Sequence, residues 1–247
     1  MSYKLREVSL PLLPKGHSDI RVLHFSDLHL TPRRKTEIAD IKSFAQLKPD
    51  LVICTGDFLA SKDAVPTVID ALADLFDVPG LFVFGSNDYY APLMKNPFSY
   101  LMKDDGTRRH GEELPWHGLK TSLEQLGWID LTHVKTKIQI KDTLIEARGT
   151  DDAHLMRDDY QLVAGKPKKI DFSIGVTHAP YKRLIKAMSK DDLDLIFAGH
   201  THGGQVRLPW FGESKALTTN CDLPKWRARG ATQKGKQSWL HVSAGMG

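Results

Sequence analysis

Cysteine is scarce in this chain. Only two stand among 247 residues: Cys54 inside an apolar run and Cys221 in a polar stretch. That rules out a disulfide framework and points to a reducing compartment. Long apolar runs are also missing. None approaches the ~18 residues of a membrane span, and Met1-Ser2-Tyr3-Lys4-Leu5-Arg6-Glu7 has no signal-peptide core, so a cytoplasmic location is expected. Charge of one sign is in short supply, with 34 Lys and Arg against 30 Asp and Glu and a net +4. Such an excess is too small for a phosphate-backbone binder, so no nucleic-acid partner is expected. There are no internal repeats or low-complexity tracts. What remains, 41% hydrophobic and 26% charged, fits a single globular domain over residues 1–247.

The apolar pattern predicts short buried strands alternating with amphipathic helices. Strands are expected at 20–25, 51–55 and 81–84. Between them lie a helix capped by Thr36, carrying Ile38, Ile41, Phe44, Ala45 and Leu47 and stopped by Pro49, and a helix over 66–76. Strand-helix alternation of this kind is the signature of parallel βαβ units. Residues 89–118, rich in Pro, Gly and aromatics, break the pattern and read as an insertion or lid. A short helix follows at 118–126, then a hairpin turning at Lys141-Asp142. Beyond it come a strand at 170–176, a helix at 181–188, a strand at 193–198, and further strands at 204–208 and 238–242. The ending Ser243-Ala244-Gly245-Met246-Gly247, directly after a strand, is read as a trimmed C-terminus.

Metal-binding residue types stand where these strands stop: Asp27-Leu28-His29, Gly56-Asp57, Gly85-Ser86-Asn87-Asp88, His178, and Gly199-His200-Thr201-His202. Each fragment alone is weak, since an Asp after a strand is usually a turn or cap. Together, and in this order, they point to a site built from distant segments at the C-terminal rim of an α/β sheet. Mixed Asp and His donors suit Mn, Fe or Zn, whereas all-oxygen sites suit Mg or Ca.

The set resembles the calcineurin-like metallophosphoesterases, whose motifs run D-x-H, G-D, G-N-H-D/E, H and G-H-x-H. The resemblance covers about residues 20–206. The stretch Gly199-His200-Thr201-His202-Gly203-Gly204-Gln205 is similar to one bacterial subgroup. The resemblance implies a two-sheet α/β sandwich flanked by helices, with a dinuclear site of two divalent cations (Mn, Fe, Zn or Mg) at the sheet rim. One metal would take Asp27, His29, Asp57 and His202. The other would take Asp57, Asn87, His178 and His200, with Asp57 as the bridge. The implied reaction is hydrolysis of phosphomonoesters or phosphodiesters by a metal-bridging hydroxide attacking phosphorus, with the ions ~3.5–4 Å apart.

The third motif departs from the family pattern. Read without a gap, Ser86 replaces the ligand Asn, and Asn87 replaces the His that assists the leaving group. Shifted by one, Asn87 remains a ligand and Asp88 takes the place of that His, as a general acid or as the orienter of another His. We expect the shifted reading, with Asn87 and Asp88 in the catalytic machinery, because an amide oxygen is the better ligand. A metal-binding scaffold with little turnover is the alternative that the missing His motivates. Tyr89, Tyr90, Leu93, Met94, Phe98, Tyr100, Leu101 and Met102, followed by Lys103, Arg108 and Arg109, form either a loop packed on its own domain or a patch for a lipid-linked substrate and peripheral membrane contact. The run Arg33-Arg34-Lys35 reads as a solvated loop or a phosphate contact, and Asp151-Asp152 as a turn or a support behind the ligands. The oligomeric state is not specified.

Overall fold

A computed structural model of the chain describes residues 3–92, 110–204 and 219–246, together with the backbone of two strands at 207–210 and 213–216. The first half forms a parallel sheet of β1 (Val22–Phe25), β2 (Leu51–Cys54), β3 (Gly80–Phe82) and β4 (Ile129–Asp130), in that order. Helices α1 (Lys35–Lys42) and α2 (Val65–Leu72) make the crossovers, and α3 (Ser86–Tyr89) is a single turn after β3. Then come α4 (Trp116–Gln125), β5 (Lys135–Ile140), β6 (Thr143–Gly149), β7 (Phe172–Val176), α5 (Lys182–Lys190), β8 (Leu195–Ala198), β9 (Arg207–Trp210), β10 (Glu213–Ala216), β11 (Gly230–Thr232) and β12 (Trp239–Val242). The second sheet runs β11-β12-β8-β7-β6-β5. Its four inner strands are parallel and its two edges antiparallel.

The apolar runs explain why the sheets stack. On β2 every residue is buried, because alternate side chains enter two different cores. Leu51 and Ile53 meet Ile145, Ala147, Ile174 and Phe197 between the sheets. Val52 and Cys54 face the other way, against Ile41 of α1 and Val68 and Leu72 of α2. Leu184, Ile185 and Met188 of α5 close the outer face of the second sheet with Ile196 and Leu240. Each fully buried Leu or Ile contributes about 1.5–3 kcal/mol, so the four-layer sandwich is held by three contiguous apolar seams. The expected two-sheet α/β sandwich is therefore the fold.

Some local expectations give way to tertiary context. Helix α1 starts at Lys35 with Arg34 in the capping position, so Thr36 lies inside the first turn and does not cap it. The chain tightens into a 3-10 segment at Ser43–Leu47, ended by Lys48 with a left-handed φ of 50°. The strand expected at 204–208 is displaced to β9, which pairs with β10 in a separate ribbon. Cys54 is buried, as its apolar run requires. The ends of the 89–118 segment are packed, with the Tyr89 and Trp116 rings 5.1 Å apart and Leu114 in the first core. Its centre, including Met94, Phe98, Tyr100, Leu101, Met102, Lys103, Arg108 and Arg109, lies outside the described residues. Among the described residues no helix is long and apolar enough to cross a membrane.

Candidate metal centre

Because the strands run parallel, the loops that leave β1, β2, β3, β7 and β8 emerge on one rim. They carry Asp27, His29, Asp57, Asn87, His178, His200 and His202. Five of these residues have left-handed backbones: φ is 54° at Asp27, 43° at His29, 58° at Asp57, 68° at His200 and 50° at His202. For non-glycine residues this costs on the order of 1–3 kcal/mol each and is characteristic of functional loops. Backbone bonds between the loops hold the geometry: Asp27 N–H to Gly56 O (2.9 Å), His29 N–H to Asp57 O (3.0 Å) and Leu30 N–H to Phe58 O (2.9 Å). Only glycine fits at 85, where a Cβ would stand 2.2 Å from Asp57 Oδ1 and 2.6 Å from the His178 ring.

The side chains converge. His29 Nε2 is 3.6 Å from Asp57 Oδ2, His178 Nε2 is 3.6 Å from Asp57 Oδ1, and His202 Nε2 is 3.4 Å from Asp27 Oδ1. The Nε2 atoms of His29 and His202 lie 3.5 Å apart on parallel rings, and His200 Nδ1 is 3.2 Å from His178 Nε2. Donor atoms that share an ion at ~2.0–2.2 Å stand about this far from one another. Asp27, His29 and His202 form one group of mutually close donors, and Asp27, Asp57 and His178 a second. Carbonyls set the tautomers: His178 Nδ1–H donates to Thr55 O (2.7 Å) and His200 Nε2–H to Asn220 O (3.2 Å). The nitrogen left to bind is then Nε2 in His178 and Nδ1 in His200. Asp27 Oδ1 is wholly buried without a hydrogen-bond partner among the described residues, an arrangement that fits a cation.

The electrostatics agree. Burial opposes the charge on His178, but Asp57, Asp152 and Asp27 outweigh it and hold the imidazole up, at about 9. His200 is pushed down to about 4 by burial and by His178. Burial would raise the Asp57 carboxyl, yet His178, His29 and the Asn87 bonds hold it well below the usual range. Buried carboxylates therefore outnumber the cationic charge the histidines supply, and divalent cations would offset that excess.

The family model described as Calcineurin-like phosphoesterase matches residues 20–204. The chain belongs to that family. Its members act on phosphoesters and depend on metals. The chain is 27% identical over 205 residues to a bovine (Bos taurus) "Transmembrane protein with metallophosphoesterase domain", a match covering 81% of the chain but 44% of that relative. It is 24% identical over 222 residues to "Phosphodiesterase YaeI" of Escherichia coli, covering 85% of the chain and 71% of the relative. The structure of TT1561 from Thermus thermophilus superposes with a TM-score of 0.49 at 12% identity, over 92% of this chain and 91% of that one. The chain thus spans less than half the length of its bovine relative.

Within this rim the third motif is arranged differently from expectation. Asn87 reaches Asp57 as a donor: its backbone N–H donates to Asp57 Oδ1 (2.8 Å) and its side-chain Nδ2–H to Asp57 Oδ2 (2.7 Å), so the nitrogen end of the amide, not the oxygen, faces that carboxylate. Asp88 turns away and is fully buried. Its Oδ1 accepts from Phe58 N (2.7 Å) and Leu59 N (3.1 Å), its Oδ2 from Asp57 N (2.8 Å) and Gly85 N (2.9 Å). Burial and the Asp57 charge push this carboxyl up, to about 7, against those amides. With two N–H donors on each oxygen, Asp88 presents neither oxygen to the rim. Arg34 also turns inward, donating to Leu28 O (3.0 Å) and His29 O (3.2 Å).

Asp152 belongs to the Asp151-Asp152 pair expected as a turn or a support behind the ligands, whereas His154 and the segment after β12 carried no signal in the sequence. Asp152 is wholly buried; its Oδ1 accepts from His154 N (2.9 Å), and its Oδ2 has no partner among the described residues. The His154 ring lies 4.6 Å from that of His200. Met246 N–H reaches Ser26 O (3.2 Å) and Asp27 O (3.3 Å), so the segment after β12 lines the Asp27 loop. An isolated His such as His154 is too common for sequence spacing to single out.

Proposed function

We propose that this chain is a hydrolase of phosphomonoesters or phosphodiesters with two divalent-metal sites that share the Asp57 carboxylate. The observation that carries this reading is the division of Asp57, with Oδ2 toward His29 and Oδ1 toward His178. Asp27, His29, Asp57 and His202 would hold one ion, and Asp57, Asn87, His178 and His200 the other. When bound, such a pair supplies a nucleophilic hydroxide at neutral pH and offsets charge on the phosphoryl oxygens. The chain's own groups do the rest. The Thr55 and Asn220 carbonyls fix the imidazole tautomers, the strained loops hold the donors in place before substrate arrives, and the Asp88 carboxylate staples the Gly56-Asp57 turn to the third motif. Asp88 is then an anchor and not the proton donor, which favours esters with good leaving groups. The name of the Escherichia coli relative makes diesters the first class to test.

The test is hydrolysis of p-nitrophenyl phosphate and its bis ester with added Mn²⁺. Metal-dependent release, reduced at least ~10³-fold by Asp57→Asn, is the expected result. Asn87→Ala should lower metal content and Ser86→Ala should not. The missing leaving-group His favours one rival reading, a metal-binding scaffold. Stoichiometric metal binding without release of either ester, or of any in a wider phosphoester panel, would establish that reading instead.

A further inference from the structure

The third-motif side of the rim has lost the cationic or protonating side chain that its family pattern places there. Ser86, Asn87 and Asp88 occupy those positions, and Asp88 is spent on backbone amides. A different cation is held beside it. We propose that Arg157 binds the phosphoryl oxygens of the substrate at this edge of the metal centre, through its two Nη groups. This inference rests on the phosphoester-hydrolase reading above.

The bracing of Arg157 is the first argument. Its Nε–H donates to Asp151 Oδ2 (2.8 Å), and its guanidinium carbon stands 4.0 Å from the centroid of the Tyr89 ring. The Tyr89 hydroxyl donates to the other oxygen, Asp151 Oδ1 (2.7 Å). Asp151 and Tyr89 are both buried, so a rigid shelf fixes the guanidinium plane before any ligand arrives. An arginine serving only as an ion-pair partner commonly presents two parallel N–H groups to its carboxylate. Here one prong suffices. Neither Nη has a hydrogen-bond partner among the described residues, and the side chain is 39% exposed.

Placement is the second argument. Tyr89 follows Asn87 by two residues. Asp151 lies between Thr150, whose N–H bonds Val176 O (3.2 Å) and whose hydroxyl meets that of Thr177 (3.3 Å), and Asp152, whose charge reaches His178 and Asp57. The shelf is thus built from the loop after β3, which also carries Asn87, and the loop after β6, which also carries Asp152. Asp27, Asp57, Asp88, Asp151 and Asp152 are all buried there, and an anionic ester would be repelled unless cations met it. A planar fork of N–H donors matches phosphoryl oxygens. It offsets their charge without transferring a proton.

Metal-loaded wild type, Arg157→Met and Arg157→Lys are compared for KM and kcat on bis-p-nitrophenyl phosphate, for the inhibition constant of inorganic phosphate, and for metal content. Arg157→Met should raise KM and the phosphate inhibition constant about tenfold to a hundredfold, with metal content unchanged. Arg157→Lys should recover only part of this, because a point charge replaces the fork. An unchanged KM and phosphate constant in folded, metal-loaded Arg157→Met overturns the proposal. If that variant does not fold, wild-type values in Arg157→Lys overturn it equally. A wild type that hydrolyses no ester removes the hydrolase reading alone; phosphate binding followed by calorimetry and weakened by Arg157→Met would still support Arg157 as the phosphate-binding group.

Discussion

The two sheets contribute to the rim in different ways. The first brings every carboxylate donor, Asp27 and Asp57, and its loops are tied to one another by backbone bonds and by the four amides on Asp88. The second brings imidazoles, His178, His200 and His202. Of the two whose tautomer is set by a carbonyl, His178 uses one from the opposite sheet, at Thr55, and His200 one from a distant loop, at Asn220. One half of the site is braced within itself, and the other depends on the sheets staying in contact. Charged ligands must be immobilised before a cation arrives, because a loose buried carboxylate would sooner protonate than wait.

The largest effect should come from breaking the self-braced half. Asp88→Asn replaces an acceptor-only side chain by one whose NH₂ must face amides that need an acceptor. It should cost about 2–4 kcal/mol in denaturant unfolding and lower metal content as well. Unaltered stability with only kcat reduced would instead make Asp88 a proton donor. The contact between the sheets is tested next. His24 of β1 and His241 of β12 are half-buried with their Nδ1 atoms 2.7 Å apart, and His24 Nε2 is 3.1 Å from Thr55 Oγ1. Burial pushes His241 down to about 4, and burial together with His241 pushes His24 well below its usual value. Between pH 4 and 6.5 the unfolded chain then binds more protons at His241 than the folded one. Stability is full above about 6.5 and falls as the pH drops toward 4, by at most about 3 kcal/mol for His241, with His24 acting in the same direction. His241→Gln should flatten that slope in metal-free protein, and an unchanged slope would show that the pair does not carry it. Arg34→Met, which removes two bonds to the carbonyls of the Asp27-His29 loop, should cost only about 1 kcal/mol and leave ester hydrolysis within about twofold.

Much of the framework was readable from residue order. The runs at 51–55 and 193–198 are apolar on both faces, so they had to be central strands covered on two sides. The metal-binding residue types after them mark the rim. The third motif was less readable. Asn87 and Asp88 are adjacent and polar, and nothing in their spacing says that one reaches Asp57 while the other turns beneath it. The single helical turn at 86–89 makes that division, since successive residues on a helix point about 100° apart.

By itself, then, the amino-acid order determined that strands would alternate with helices and that Asp27, His29, Asp57, His178, His200 and His202 would follow strand ends, because hydrophobic periodicity and turn chemistry are local properties. Only the tertiary structure decided which oxygen of Asp57 faces which histidine, that Asp88 is consumed by amides, and that Arg157 rests on Tyr89 and Asp151. Those outcomes depend on the directions of side chains from segments more than a hundred residues apart, as His178 and Asp57 are, and such directions are set by sheet stacking and loop torsions that no local pattern encodes.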